Sequence, residues 1–378
     1  MTFKIKAKKT IKSSAWLLLS LILTLILAAQ TAAADDAAEP SVDPVRNRDN
    51  CTAIVYDNTS GLPASEANDI VQTSEGFIWI GCYSGLVRYD GNTFERLDST
   101  HGVNSISSLY VDNQDRLWVG TNDNGVALME NGEFRFWDES DGLGSSKIND
   151  IQGDGSGNIY VGTTAGMSMF TPDLELIHMT TDDLIEGAYV ENMVSGNDDL
   201  IYGTTHEGNV FVMRDGHLVN YYEKDETMHP ITCVYPDIDR PGWIYYGTED
   251  EGVFHVSLKS GFDTAEKIDI SPLVSVYNFA EIGDYIWVCS RSGVGVIGED
   301  GFHALDHLPV NNSVDHVMMD YEGNLWFTST RQGVMKLVNN RFTDIFKSWE
   351  QNVVLGTSLR IRDKKILVQV PAGYFNQE

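Results

Sequence analysis

The five residues Leu117-Trp118-Val119-Gly120-Thr121 decide the fold, because similar segments recur along the chain. Seven segments share this run of apolar and aromatic residues followed by a small residue; in six of them the aromatic residue is second, and in residues 200–204 it is third. The residues aligned with the glycine of the quoted segment are Gly81, Gly120, Gly162, Gly203, Gly247, Cys289 and Thr328. Successive members are 39, 42, 41, 44, 42 and 39 residues apart. A repeat of about 40–45 residues with several short strands is typical of β-propeller blades.

One repeat shows why each unit is expected to contain four strands. Its strongly apolar or alternating segments are separated by polar turns, and its last turn, Asn131-Gly132, is a two-residue hairpin signal. The predicted strands are residues 106–112, 116–121, 126–130 and 134–138. The sequence therefore predicts an all-β, seven-bladed β-propeller.

A glycine follows the turn between the second and third strands of every repeat. We expect each of these glycines to adopt a positive φ, which glycine reaches without a Cβ penalty. They are Gly85, Gly125, Gly166, Gly208, Gly252, Gly293 and Gly333. A phosphate-binding role is not indicated, since no GxGxxG motif follows a strand and opens a helix.

The ends of the repeat region predict how the ring closes. Residues 52–57 resemble a fourth strand, and we expect them to pair with residues 334–338, because a propeller must join its ends to remove exposed sheet edges. The predicted propeller region spans residues 52–346. Within it, this pairing would free residues 341–346 at its end to leave the ring. Residues 347–378 are interpreted as the first strands of a truncated second propeller, with Gln369 aligned 41 residues after Thr328.

The N-terminal region differs in composition from the repeats. Residues 1–34 contain five lysines, an apolar run and a small-residue end, as a signal peptide or an uncleaved anchor does. Residues 35–51 are interpreted as a flexible acidic leader. We therefore expect an exported protein at the extracellular or periplasmic face of the cell membrane.

Charge and cysteine content limit the classes of partner. The formal net charge is −29, and without the lysines of residues 1–34, 21 basic residues remain against 55 acidic ones. Nucleic acids and anionic lipid surfaces are therefore not expected as partners. The four cysteines form no CxxC motif, and we expect free buried thiols at Cys51, Cys82, Cys233 and Cys289.

No catalytic residue, metal site or cofactor is predicted. The nine histidines contain no HExxH motif, and no GxSxG elbow occurs. The segment 154–158 resembles a calcium loop but lacks the later glutamate. The repeated aromatic residues are interpreted as blade core; they are Trp79, Trp118, Tyr160, Tyr202, Tyr245, Trp287 and Trp326.

The turns between second and third strands are the best candidates for ligand contact, because they differ between blades and lie on one face. The candidate ligand-binding residues are Tyr83, His206, Arg291 and Arg331. Two arginines in an acidic protein suit an anionic or carbohydrate-derived small ligand, such as a carboxylate or a uronic sugar. Salt bridges from these arginines to nearby acids are the alternative.

The repeats resemble the two-component regulator propeller, whose units read as a polar turn followed by Leu/Ile-Trp-Ile/Val-Gly-Thr and then Gly-Leu. The best matches are residues 75–86, 115–126 and 322–334, and the poorest is 242–253. The resemblance implies two propellers outside the cell, followed by a β-sandwich, a transmembrane helix and a cytoplasmic histidine kinase or diguanylate cyclase. This chain carries no motif of either output domain, so the implied function is that of a sensor input module, which could form a homodimer.

Two other functions stay open at the level of sequence. Seven-bladed lyases of the streptogramin-inactivating type have a sequence motif similar to residues 323–328. That class needs a catalytic histidine and a metal-binding glutamate at the channel. The candidates here, which are scattered along the chain, are His206, Glu207 and His316. A scaffold or adhesion propeller without a small ligand is the third interpretation.

Overall fold

The computed structural model describes residues 42–46, 48, 51–97, 102–130, 132–179, 185–224, 229–339, 359–362, 365–370 and 373–377. The expected signal peptide at 1–34 and the expected exit segment at 341–346 lie outside the described residues. Within the described part, the regular structure is almost entirely β-strand, with short 3-10 turns such as Glu139–Asp141 and Phe262–Thr264. No helix in these described ranges is long and apolar enough to cross a membrane.

Seven antiparallel sheets of four strands form the blades. The first strand of the chain, β1 (Cys51–Tyr56), belongs to the last blade. Blade 1 contains β2 (Asp69–Gln72), β3 (Ile78–Cys82), β4 (Gly85–Tyr89) and β5 (Phe94–Arg96). Blade 2 contains β6 (Ile106–Val111), β7 (Leu117–Thr121), β8 (Val126–Glu130) and β9 (Glu133–Trp137). Blade 3 contains β10 (Ile148–Gly153), β11 (Ile159–Thr163), β12 (Gly166–Phe170) and β13 (Leu176–His178).

The remaining blades follow the same order. Blade 4 contains β14 (Val190–Ser195), β15 (Ile201–Thr205), β16 (Val210–Arg214) and β17 (His217–Tyr222). Blade 5 contains β18 (Ile231–Pro236), β19 (Trp243–Thr248), β20 (Val253–Ser257) and β21 (Glu266–Ile268). Blade 6 contains β22 (Val276–Ile282), β23 (Tyr285–Ser290), β24 (Gly293–Gly298) and β25 (Gly301–Ala304). Blade 7 contains β26 (Val314–Met319), β27 (Leu325–Ser329) and β28 (Gly333–Asn339), together with β1.

The first strand of each blade lies innermost. Each of β2, β6, β10, β14, β18, β22 and β26 contacts its counterparts in the two neighbouring blades, and the contact between β26 and β2 completes the circle. The seven-bladed β-propeller predicted from the repeat spacing is therefore confirmed.

The ring is closed by the strand that the sequence predicts. Strand β1 pairs antiparallel with β28, with Tyr56 opposite Val334 and Cys51 opposite Asn339. The Tyr56 ring lies 6.1 Å from Trp326 of blade 7 and 5.0 Å from Phe94 of blade 1, measured between centroids. The closing strand thus joins the last blade to the first through aromatic packing as well as through its strand pairing.

Six of the seven repeated aromatic residues are buried in the blade cores, and aspartates in the preceding turns hold several of them; the seventh, Tyr245, is only half-buried, so its assignment to the core is corrected. Trp118 is fully buried, and its Nε1 donates to the Asp112 carboxylate at 2.8 Å. The same carboxylate accepts backbone N–H bonds from Gln114 and Arg116, so it also closes the turn. Asp320 and Trp326 repeat the arrangement in blade 7. These acidic residues therefore have a local structural role.

Two sets of glycines shape each blade. All seven glycines after the second turn have positive φ, as predicted, and a Cβ at Gly125 would also meet the carbonyl oxygen of Trp137 on the fourth strand. The glycines of the repeated segment have a different role. A Cβ at Gly120 would lie 2.7 Å from Cγ2 of Ile148 in the next blade. Glycine at this position lets adjacent blades approach closely.

The parts of the chain outside the seven blades include two described pieces. Residues 42–46 fall within the expected flexible leader, yet Val42 is only 2% exposed in the core cluster of blades 6 and 7, and Arg46 donates to Asp284 at 2.9 Å. This segment is packed against the propeller because the Val42 side chain is buried among apolar residues of blades 6 and 7. Strands β29 (Leu359–Arg362), β30 (Lys365–Val370) and β31 (Gly373–Gln377) form a separate three-stranded sheet. Its assignment to a second propeller stays a prediction.

The cysteines agree with the sequence analysis. Cys82, Cys233 and Cys289 are buried thiols that form no disulfide, and Cys51 is partly buried at the start of β1. Burial raises the pKa of the Cys82 and Cys233 thiols to about 12. Buried thiols with such high pKa values are poor nucleophiles.

Candidate functional site

One face of the ring collects both the starts of the inner strands and the turns between second and third strands. This follows from the antiparallel pairing, because the start of each inner strand lies beside the end of the second strand of its blade. We call this side the channel-mouth face. A cavity of about 460 Å³ opens there, lined by inner-strand residues of blades 2 to 7 and by turns of blades 4 to 6.

Bulges at the strand starts direct polar residues into this cavity. Strand β6 begins with the buried Ile106, and its pairing register shifts between Ile106 and Ser108. The same shift occurs at the start of β10, β14, β18, β22 and β26. A bulge re-aims the side chains next to it. The residues that follow each buried first residue, such as Asn149 and Asp150, therefore line the cavity.

These side chains form hydrogen bonds around the channel, from blade to blade. The Asp69 carboxylate accepts the N–H of Leu109 in blade 2 at 2.6 Å. Ser108 Oγ donates to Asp150 at 3.2 Å, and Asp150 accepts the N–H of Met193 in blade 4 at 2.6 Å. On the other side, His316 Nδ1 of blade 7 lies 3.0 Å from Asn278 Nδ2 of blade 6 and 3.5 Å from Asp69 Oδ1. The polar groups thus tie neighbouring blades together.

The carboxyl groups in the channel are held in an environment that disfavours their charge. Burial raises the pKa of Asp150 to about 6, and the nearby Asp69 carboxylate raises it further, whereas backbone N–H bonds and His316 oppose the rise. Burial also raises the pKa of Asp315 to about 6, mainly against the opposing effect of His316. The pKa of Asp69 is raised by burial too. The channel therefore takes up protons in mildly acidic conditions.

Two polar atoms of the cavity lining have no hydrogen-bond partner among the described residues. They are Ser107 Oγ and Asn192 Oδ1, both of which are buried. An unpaired buried polar atom costs free energy, so these two atoms are the points in the lining where a further hydrogen bond would be favourable.

The four residues predicted as a ligand site lie on the channel-mouth face, but only two line the cavity. His206 and Arg291 contribute to its wall. Tyr83, which is 55% exposed, and Arg331 lie in the corresponding turns of blades 1 and 7, outside the lining. The structure therefore brings His206 and Arg291 to one cavity and does not bring Tyr83 and Arg331 there.

His206 and Arg291 differ in how they are held. The His206 ring stacks on Tyr189 at 4.7 Å between centroids, and its Nδ1 lies 2.9 Å from Glu191 Oε2. The backbone of Arg291 is bonded to Ser275 and Ser313, but its exposed guanidinium forms no ion pair or hydrogen bond within the described ranges. The alternative of a salt bridge at Arg291 is thus not observed, and this cation is open to a ligand.

Sequence reasoning missed most of the inner-strand part of the site. Asp150, Asn192 and Asp315 line the cavity but were not predicted, and His316, which also lines it, was named only as a candidate for the lyase alternative. A signal was present in the sequence. A polar pair after a β-branched residue, as in Ile148-Asn149-Asp150, breaks the alternation expected of a strand and marks the bulge.

Metal binding would need several ligands to converge. Across the described ranges, no group of three or more His, Cys, Asp or Glu side chains is placed to hold a metal ion. The calcium-like segment is a turn in which Asp154 accepts bonds from the N–H groups of Ser156 and Asn158 and from Tyr160 Oη. That carboxylate is therefore already used by the blade.

The fold and the site define a seven-bladed propeller with a polar cavity at one mouth of its channel. Residues 61–84 and 101–123 match the family described as Two component regulator propeller. The resemblance seen in the repeats is therefore confirmed for this part of the chain.

Known proteins similar to this chain include a histidine kinase, a putative hybrid two component system and a lyase. Over 96 residues, the chain is 35% identical to Histidine kinase P4 of Formosa agariphila, and the match spans 24% of this chain and 7% of the kinase. The extracellular domain of a putative hybrid two component system from B. thetaiotaomicron has a TM-score of 0.65 at 17% identity, covering 84% of this chain and 46% of that one. A streptogramin B lyase has a TM-score of 0.61 at 16% identity, covering 77% and 98%. At these low identities, the two structural similarities show a shared fold only. The chain spans less than half the length of both two-component proteins.

Proposed function

We propose that this propeller is the exported, ligand-sensing input module of a bacterial signal-transduction receptor. The match to the two-component regulator propeller and the local identity to a histidine kinase support the signalling role. The observation that carries ligand sensing is the cavity at the channel mouth, where Arg291 has no ionic partner within the described ranges and two buried polar atoms lack a hydrogen bond. A ligand bound there would contact several blades at once.

The lining supports a sugar that carries a carboxylate. The Arg291 guanidinium would pair with the carboxylate of such a ligand, since this pairing is charge-assisted and can be bidentate. Sugar hydroxyls would donate to Asn192 Oδ1 and to the carboxylates of Glu191 and Glu249, which also line the cavity. The two acidic side chains make a simple multiply charged anion a poorer fit than a hydroxyl-rich molecule with one acidic group.

The proposal is tested by calorimetric titration with D-galacturonate and D-galactose, which differ at one carboxylate. We expect tighter binding of the acid, and Arg291→Ala should weaken its affinity about tenfold through loss of a charge-assisted bond. The affinity for galactose should change much less, because the arginine has no carboxylate to bind in that sugar.

Arg331→Ala is the matched control, because Arg331 occupies the equivalent turn of blade 7 outside the cavity lining. It removes the same charge from the same face. Equal losses in both variants would mean that the arginines act through the general field of the protein, and would reject Arg291 as a ligand contact. Binding of neither sugar would reject this ligand class.

We also propose that the propeller acts with a second propeller and a membrane-anchored histidine kinase or diguanylate cyclase. The partial coverage of the two-component relatives and the separate sheet of β29 to β31 support this arrangement. Sequencing the reading frame beyond codon 378 and fractionating cells that carry the tagged gene product test the output domain and the export separately.

A propeller lyase is the second candidate. It is favoured by the placement of His206 and His316 in one cavity and by the likeness to a streptogramin B lyase fold. The direct test is incubation of the chain with a streptogramin B substrate, followed by mass spectrometry. Unchanged substrate would favour the sensor over the lyase.

A further inference from the structure

The bulges at the inner-strand starts place one residue of each blade at an equivalent point of the channel-mouth cavity. In blades 2 to 6 the pairing register skips one residue, which we call the bulge residue. The bulge residues are Ser107, Asn149, Glu191, Thr232 and Tyr277, and all five line the cavity. Four of them are polar and non-aromatic. The bulge residue of blade 6 is therefore the exception among the five.

Two of the other bulge residues join neighbouring blades. Asn149 Nδ2 donates to the carbonyl oxygen of Val190 at 2.7 Å, and Thr232 Oγ1 donates to the carbonyl oxygen of Val276 at 2.7 Å. Tyr277 takes no comparable part, because its hydroxyl group forms no hydrogen bond and its ring no aromatic or cation–π contact with any described residue. No such interaction within the described part of the propeller accounts for a tyrosine at this position.

The backbone on both sides of Tyr277 is fixed to other parts of the cavity wall. The carbonyl oxygen of Ser275 accepts the N–H of Arg291 at 3.0 Å, and Asn278 Nδ2 lies 3.0 Å from His316 Nδ1. These four neighbours also line the cavity, and Tyr277 itself is half-buried. The tyrosine thus belongs to a defined stretch of wall, two residues along its strand from the point where Arg291 is bonded.

A tyrosine ring and an unpaired guanidinium in one wall suit a cyclic sugar acid. One face of a galactopyranose ring presents mainly C–H groups, and covering this face with an aromatic side chain removes apolar surface from water. The guanidinium binds the carboxylate by a charge-assisted bond. An open-chain acid with the same number of carbons offers the carboxylate but has no rigid C–H face.

We propose that Tyr277 is a specificity-determining residue of the channel-mouth cavity, whose ring stacks on the C–H face of a sugar ring while Arg291 holds the carboxylate. This inference rests on the proposed function and adds one requirement to it, which is that the cavity selects a cyclic acid over an open-chain acid. Neither the carboxylate nor the hydroxyl groups of the ligand would by themselves produce this selection.

The test is calorimetric titration of the full chain at neutral pH with D-galacturonate and with D-galactonate, an open-chain acid that also has six carbons and one carboxylate. We expect D-galacturonate to bind more tightly. Tyr277→Ser, which introduces the residue type that blade 2 has at its bulge, should weaken D-galacturonate binding about fivefold and change the affinity for D-galactonate less than about twofold. Tyr277→Phe should bind both acids as the wild type does, because the ring is kept.

Tyr83→Ser is the matched control, because Tyr83 is exposed on the same face but lies outside the cavity lining. It removes the same side chain and should leave both affinities unchanged. Equal losses of D-galacturonate affinity in Tyr277→Ser and Tyr83→Ser would overturn the proposal. A loss in Tyr277→Phe as large as that in Tyr277→Ser would also overturn it, since the hydroxyl group would then be the contact.

The Arg291→Ala variant separates this inference from the proposed function. If Arg291→Ala weakens the binding of both acids while Tyr277→Ser changes neither affinity, the ligand class stands and the stacking role of Tyr277 is overturned. If neither acid binds to the wild-type chain, the proposed ligand class is rejected and the role of Tyr277 is rejected with it.

Discussion

At the scale of single residues, the repeated glycine is explained by what lies opposite it in the next blade. Gly81, Gly120 and Gly162 each face a β-branched residue of the neighbouring inner strand, at a distance too short for a Cβ. Blade 7 carries Thr328 at this position, and the corresponding first inner residue of blade 1 is the small, buried Ala67. The spacing of these anchors is visible in the sequence, but the complementary pair is not, because its members are far apart in the chain.

Gly120→Ala tests this packing. The added methyl would lie 2.7 Å from Cγ2 of Ile148, so we expect the free energy of unfolding to fall by about 2 kcal/mol. Urea denaturation measures the loss. In a double-mutant cycle with Ile148→Ala, which makes room, the combined loss should be smaller than the sum by about 1 kcal/mol. Strict additivity would mean that the two positions do not compete for space.

At the scale of elements, the sequence allowed the blades and the closing strand to be predicted, but not the bulges. The closing strand could be predicted because the turn sequence of residues 60–62 resembles that of residues 141–143, which follows the fourth strand of blade 2. The strand before residues 60–62 was therefore expected to be a fourth strand as well. The bulges at the inner-strand starts add one residue to a strand without changing the repeat spacing. As a result, Asp150 and His316 were left out of the predicted site although they line the cavity.

Removal of β1 tests the closure. A chain beginning at residue 59 leaves β28 unpaired along one edge, and we expect a loss of stability of about 4 kcal/mol or more. The exposed edge should also promote self-association, which light scattering would detect. A chain beginning at residue 42 keeps both the packed segment and β1, and one beginning at residue 51 keeps only β1. A melting temperature that is the same from all three starts would contradict the role of β1.

At the scale of the whole molecule, the channel concentrates carboxyl groups that no single blade would hold. Asp69, Asp150 and Asp315 come from blades 1, 3 and 7, and burial raises the pKa of each. Composition predicts an acidic protein, but it does not predict which acids face one another, since that depends on the order of blades in a closed ring.

This arrangement makes stability depend on pH. The pKa of Asp315 is about 6 in the folded protein and close to 3.8 in the unfolded chain, so its protonated form contributes stability that is complete below about pH 4 and is lost as pH rises through 6. In Asp315→Asn, the fall in unfolding free energy between about pH 4 and pH 7.5 should be smaller by about 2 kcal/mol. Urea denaturation at the two pH values gives the difference.

The Asp315→Asn substitution keeps an acceptor oxygen for the N–H of Thr330, which Asp315 bonds at 2.9 Å. Asp123→Asn, at an exposed turn, is the control for removal of one negative charge. The same pH dependence in wild type and Asp315→Asn would show that this carboxyl group does not titrate as described.

The pairing of β1 with β28 also has a consequence for the order in which the molecule can be made. Strand β1 can pair with β28 only after Val334, the partner of Tyr56, has been synthesised. The first strand of the chain therefore stays unpaired until nearly the whole propeller has been made. Until then the nascent chain is an open arc with an unpaired strand at its beginning. Such long-range pairing slows folding and prolongs exposure of apolar edges. The first strand therefore stays exposed to other chains until the last blade is made.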